Sequence, residues 1–126
     1  MAVPTLPISP GFAGFALDPG YGQFAPAVGG VTAKAGGGQS GATQIAGNIT
    51  RVATVATTGD SILLPTALAG MQFTVINAGA NSLNVFPATG DAINALGANN
   101  AFAIAATKVV TFYCGTQGFW NTILTA

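Results

Sequence analysis

Seven side chains hold nearly all the reactive chemistry this sequence has. They are the carboxylates Asp18, Asp60 and Asp91, the cations Lys34, Arg51 and Lys108, and the thiol Cys114. There is no His and no Glu. Nucleophilic catalysis by Ser or Cys with an imidazole base is therefore excluded within one chain, and so is a His/Cys zinc site. Glycoside cleavage needs two carboxyl groups flanking one bond, and Asp60 with Asp91 is the only such pair after residue 41. Both follow Gly in turn-like stretches, where Asp commonly bonds backbone. The expectation is a protein that is not an enzyme and that binds no metal or cofactor.

The turns holding those two Asp repeat each other. Thr58-Gly59-Asp60-Ser61-Ile62 is echoed by Thr89-Gly90-Asp91-Ala92-Ile93. A turn used twice to enter a strand explains this more simply than a pair of acidic metal ligands, because one carboxylate per turn is too few for calcium. Cys114 is the only cysteine, so no intrachain disulfide forms. With no His or cation beside it in sequence, it reads as a small buried apolar side chain.

Only 5% of the 126 residues are charged and the formal net charge is zero, while 50% are hydrophobic and 18 are Gly. Ordinary soluble domains carry about a quarter charged residues, and near-zero net charge favours association. No basic stripe exists for nucleic acid or for an anionic membrane surface. The longest charge-free run, Ser61 to Gly90, is broken by Pro65, Gly70, Asn77, Gly79, Asn81, Asn84 and Pro87. A spanning helix needs about 20 mostly apolar residues, so no membrane helix is expected. Pro4, Pro7 and Pro10 with no basic n-region also argue against a secretory leader.

Two zones divide the chain. Residues 1–41 hold five of the seven Pro and ten of the Gly, with Phe12, Phe15, Leu17, Tyr21 and Phe24 between them. Disordered tails are usually charged and poor in aromatics. This zone therefore reads as an extended arm that lays Phe12, Phe15, Tyr21 and Phe24 onto a protein partner. The run Ala35 to Gly41 reads as its flexible joint.

Residues 42–126 read as strands, built from β-branched and aromatic residues with Gly, Asn and Pro punctuation. Candidate strands are Thr50–Thr57, Ser61–Leu64, Met71–Asn77, Ser82–Phe86, Ala92–Leu96, Ala101–Ala105, Lys108–Cys114 and Phe119–Leu124. Eight short strands at this spacing predict an all-β module, sandwich or barrel-like. Alternation puts Val110, Phe112 and Cys114 on one face and Val109, Thr111 and Tyr113 on the other. Asn77, Asn81, Asn84 and Trp120 are candidates for a contact between like subunits, since neutral amides bury without the desolvation cost of ions; the amides equally suit turns and exposed strand faces, and Trp120 equally suits the core. Asn94 is a weaker addition to that set.

The stretch Gly59 to Trp120 resembles a β-module of tailed-phage virion proteins. The similarity rests on Gly59–Pro65 (GDSILLP), Thr74–Asn81 (TVINAGAN), Val85–Asn94 (VFPATGDAIN) and Val110–Trp120 (VTFYCGTQGFW). It covers about half the chain and leaves the arm outside. Leu63 departs from the polar residue expected there, which suggests an added contact face. The resemblance implies a structural role, such as capsid decoration or a fibre component. The expectation is a decoration or cement protein made in the host cytoplasm and placed on the virion. It would bind the major capsid protein through the arm and associate with itself, as a homotrimer, through the module. The alternative is a carbohydrate-binding module of a fibre or spike, with Trp120 and Tyr113 as stacking platforms.

Overall fold

A computed structural model describes residues 27–36 and 38–124. The arm residues Phe12, Phe15, Tyr21 and Phe24 lie outside them. Ten strands form: β1 (Ala27–Thr32), β2 (Thr43–Gln44), β3 (Ile49–Thr54), β4 (Ser61–Leu63), β5 (Gln72–Asn77), β6 (Leu83–Phe86), β7 (Ala92–Ile93), β8 (Phe102–Ile104), β9 (Val109–Thr116) and β10 (Phe119–Leu124). Pro65 and Pro87, which lack the N–H a ladder needs, fall just beyond β4 and β6.

The chain is all-β, as its composition predicts, but its winding is solenoid-like rather than that of a barrel. Through β6, successive strands alternate between two sheets. The larger sheet has the order β1-β3-β5-β9-β10-β7 and the smaller β2-β4-β6-β8. Pairs β1–β3 and β3–β5 are parallel, as are β2–β4 and β4–β6. One coil is thus a strand in each sheet, and three coils stack. The register runs Ala27 to Ile49 to Thr74 on one side and Thr43 to Ile62 to Val85 on the other. Steps of this length are typical of solenoid repeats. The third coil is then closed by antiparallel strands, β9 on β5 and β8 on β6. The β9–β10 hairpin and the short parallel β7 finish the larger sheet.

Two strands are additions to the sequence reading, and both change it. β1 lies inside the segment assigned to the arm and is the outermost rung of the larger sheet. Its AVGGVT sequence has little strand character of its own, and pairing with β3 supplies what propensity does not. Gly30, at φ 71°, lies within the register break between Val28 and Val31, so β1 is bulged. The expected joint of Ala35 to Gly41 is also bonded into the module. The Gly36 N–H donates to Asp60 Oδ1 at 3.3 Å, and Ser61 Oγ donates to the Gly38 carbonyl at 3.1 Å.

Alternation decides which side of each sheet is wet. Val52, Val75, Val110, Phe112, Cys114, Ile93 and Trp120 of the larger sheet turn inward. They meet Ile62, Leu83, Val85 and Ile104 of the smaller one, with Leu64 just past β4. Each buried large aliphatic contributes about 1.5–3 kcal/mol relative to exposure, so this seam dominates stability. Phe102 on β8 meets Phe112 on β9 edge to face, with centroids 5.9 Å apart, and this joins the two sheets. At Gly79 a Cβ would stand 2.7 Å from the Val55 backbone nitrogen, so no side chain fits there.

Candidate functional site

The two repeated turns are built alike. Gly59 and Gly90 take φ of 96° and 91°, a region favourable to Gly alone. The following Asp N–H closes each turn on the carbonyl three residues back, Asp60 to Thr57 at 3.1 Å and Asp91 to Ala88 at 2.9 Å. Both carboxylates are buried and accept backbone N–H groups. Asp60 takes Thr57 at 3.1 Å and Gly36 at 3.3 Å, and Asp91 takes Ala67 at 2.8 Å. Each thereby reaches a backbone 24 residues earlier, Gly36 in one case and Ala67 in the other. The repeat is a staple between successive windings. Among the described residues no three His, Cys, Asp or Glu gather as a metal would require.

The expected subunit contacts need correction. Asn77 and Trp120 are both fully buried within one protomer, so neither reaches a second copy. Asn77 replaces missing backbone partners. Its Nδ2 donates to the carbonyls of Asn81 and Ile104, each at 2.9 Å, and its Oδ1 accepts the Gly79 N–H at 3.0 Å. Asn81 is half-buried, and its Nδ2 donates to the carbonyls of Val55 at 2.8 Å and Ala56 at 3.0 Å. Asn84 is half-buried on β6. Asn94 donates to Thr122 Oγ1 at 2.9 Å. For Asn77 and Asn81 the physical reason is shared: the corners of the winding leave backbone groups unpaired, and short amide side chains satisfy them.

Trp120 packs edge-on to Phe73 with centroids 5.8 Å apart, and it is no platform for a sugar. Among the described residues its indole N–H has no hydrogen-bond partner, and packing volume holds this position. Cys114 is buried as expected, with Sγ 3.2 Å from the Thr116 carbonyl oxygen.

What remains open is the outward face of the larger sheet. Register places Ile49, Thr74, Thr111 and Ile123 in one row across β3, β5, β9 and β10. Beside it run Arg51, Ile76 and Val109 on one side, and Gln72, Tyr113 and Asn121 on the other. Ile49 is 46% exposed and Ile123 59%. Thr74 and Thr111 bond through their hydroxyls at 3.0 Å, which ties the middle of the row. Arg51 is the only charge in these three rows. Alternation along β9 already pointed to this face through Val109, Thr111 and Tyr113. Its extension over β3, β5 and β10 needed the pairing register.

Compared with protein-family models, with curated proteins and with solved structures, the chain matches none.

Proposed function

We propose that this chain is a structural protein of a virion. In this reading it decorates or cements the capsid of a tailed phage. It binds the major capsid protein through residues 1–26 and associates with itself, as a homotrimer, through the β-module. The observation that carries the reading is the division of polar work in the module. Both described carboxylates are spent on backbone N–H groups, while the outward face of the larger sheet is rich in β-branched residues and almost free of charge. Such a molecule is equipped to hold position and to be packed against. The resemblance from Gly59 to Trp120 supplies the phage context.

Capsid contact falls to Phe12, Phe15, Tyr21 and Phe24, through apolar burial. Because β1 starts at Ala27, a truncation through residue 38 would damage the module, and the test is better made by substitution. Full-length protein with these four residues changed to Ser is expected to lose co-sedimentation with undecorated heads while keeping its circular dichroism. Undiminished binding by that variant would remove the arm from the proposal.

A second reading has one observation in its favour. Tyr113 is 36% exposed, with Gln72 and Asn121 on the neighbouring strands beside it. An aromatic ring between two amides suits a sugar, which makes Tyr113, not Trp120, the platform of a fibre or spike module. Glycan-array binding that disappears in Tyr113→Ala would favour it over decoration.

A further inference from the structure

We infer that copies of this chain meet through the outward face of the larger sheet, with β3 of one copy set against β10 of the next. This deepens the self-association half of the proposed function and replaces the amide and Trp contacts expected from sequence.

Charge selects the occupant. The three central rows hold one charged residue, Arg51, at the β3 end. A nucleic acid or a strongly charged protein surface would find almost nothing to pair with there, and would lose its own hydration on the apolar remainder. A surface equally poor in charge is the matching partner, and this chain is one.

Position selects the arrangement. Ile49 and Ile123 are the two most exposed large apolar side chains on the face, and they are the outermost large side chains of a single row, on the second strand from each edge, with only Ala27 of β1 beyond Ile49. An axis parallel to the strands keeps that row at one height in every copy. It brings Ile49 of one copy to Ile123 of the next and covers both. Sheets of this kind pack face to face at about 10 Å, close enough for β-branched rows to interdigitate.

Area sets the strength. The five longer strands, at about 4.8 Å spacing and about 20 Å length, give roughly 480 Å² in projection. Corrugation by side chains raises the accessible area above that. The result sits at the small end of stable interfaces, which bury about 800 Å² per partner. An interface of this size falls in the weak or transient class, so its detection calls for a high protein concentration.

The experiment uses the full chain. Light scattering at that concentration is expected to give a multiple of the chain mass. Ile49→Asp and Ile123→Asp should each reduce it to one chain, while Leu68→Asp, at an exposed loop position outside these three rows, should leave it unchanged. A second variant, Ile49→Cys with Ile123→Cys, reads the same contact by oxidation. Within one copy the two positions lie three strand spacings apart, about 14 Å, too far for a disulfide. Covalent oligomers on a non-reducing gel are therefore expected only if the ends of the row meet between copies. A monomeric wild type would overturn both the self-association and this surface, and would leave the face to residues 1–26 or to another protein. An oligomer that tolerates both Asp substitutions, or that gives no covalent product from the Cys pair, would overturn the surface alone.

Discussion

The two sheets differ less in what they bury than in what they leave uncovered. The smaller sheet has strands of two to four residues, and its outer side is closed by the protein's own turns. Ser61 on β4 is fully buried beneath Gly38. Gln39 donates to the Pro87 carbonyl at 2.7 Å and to Asn99 Oδ1 at 3.1 Å, and Asn99 in turn accepts the Gly90 N–H at 2.7 Å. Leu63 and Phe86, which point outward there, are half-buried. The larger sheet is mostly longer-stranded and has no such cover over Ile49, Tyr113 and Ile123. Turns that tie down one side make the fold self-sufficient there and confine its open surface to the other.

Substitutions probe that contrast in descending order. Trp120→Ala empties the seam on the larger sheet's side and is expected to cost about 3–5 kcal/mol. Because both sheets share one core, chemical denaturation should still show a single transition for that variant. Two separated transitions would mean the sheets are independent, and the contrast between them would lose its basis.

Asp60→Ala removes the acceptor that ties the Thr57 turn to Gly36, and leaves two part-buried N–H groups without that acceptor. A loss of about 1–3 kcal/mol is expected by urea melt, with the smaller sheet's cover loosened first. Gln39→Ala cuts only the outer tie and should cost about 0.5–1.5 kcal/mol. Its signature is local: faster amide exchange in β4 and β6, with β5 and β9 unchanged. Equal acceleration in β5 and β9 would show that the cover is not confined to one sheet.

Much of this was legible in the sequence, for reasons that also explain the rest. Phe119–Leu124 is read to the residue, because Gly118 at φ 83° and the β-branched run after it mark both turn and strand. Pro65 and Pro87 stop their strands where their missing N–H would break a ladder. The solenoid winding was not legible. Strands some ten residues apart suit a sandwich and a half-coil alike, and only the parallel register distinguishes them. β1 hides because two of its six residues are Gly. Asn77 and Trp120 each left two readings open, a subunit contact or a place within the fold, for a related reason. An amide and an indole look like surface chemistry until the corner carbonyls and the intersheet gap they fill are seen. The Gly–Asp turns were read correctly as turns, but their reach to Gly36 and Ala67 could not be seen without the coils.

The bulge at Gly30 has a bearing on size control. A stack of parallel coils is in principle extensible, since each rung offers the next a complete row of backbone donors and acceptors. Here one end of the stack is followed by antiparallel strands, β9 on β5 and β8 on β6, rather than by a fourth parallel rung. At the other, the kinked outermost rung of the larger sheet presents an interrupted row, which disfavours a further rung from another molecule. Growth along the winding axis by a further rung is thereby disfavoured at that end.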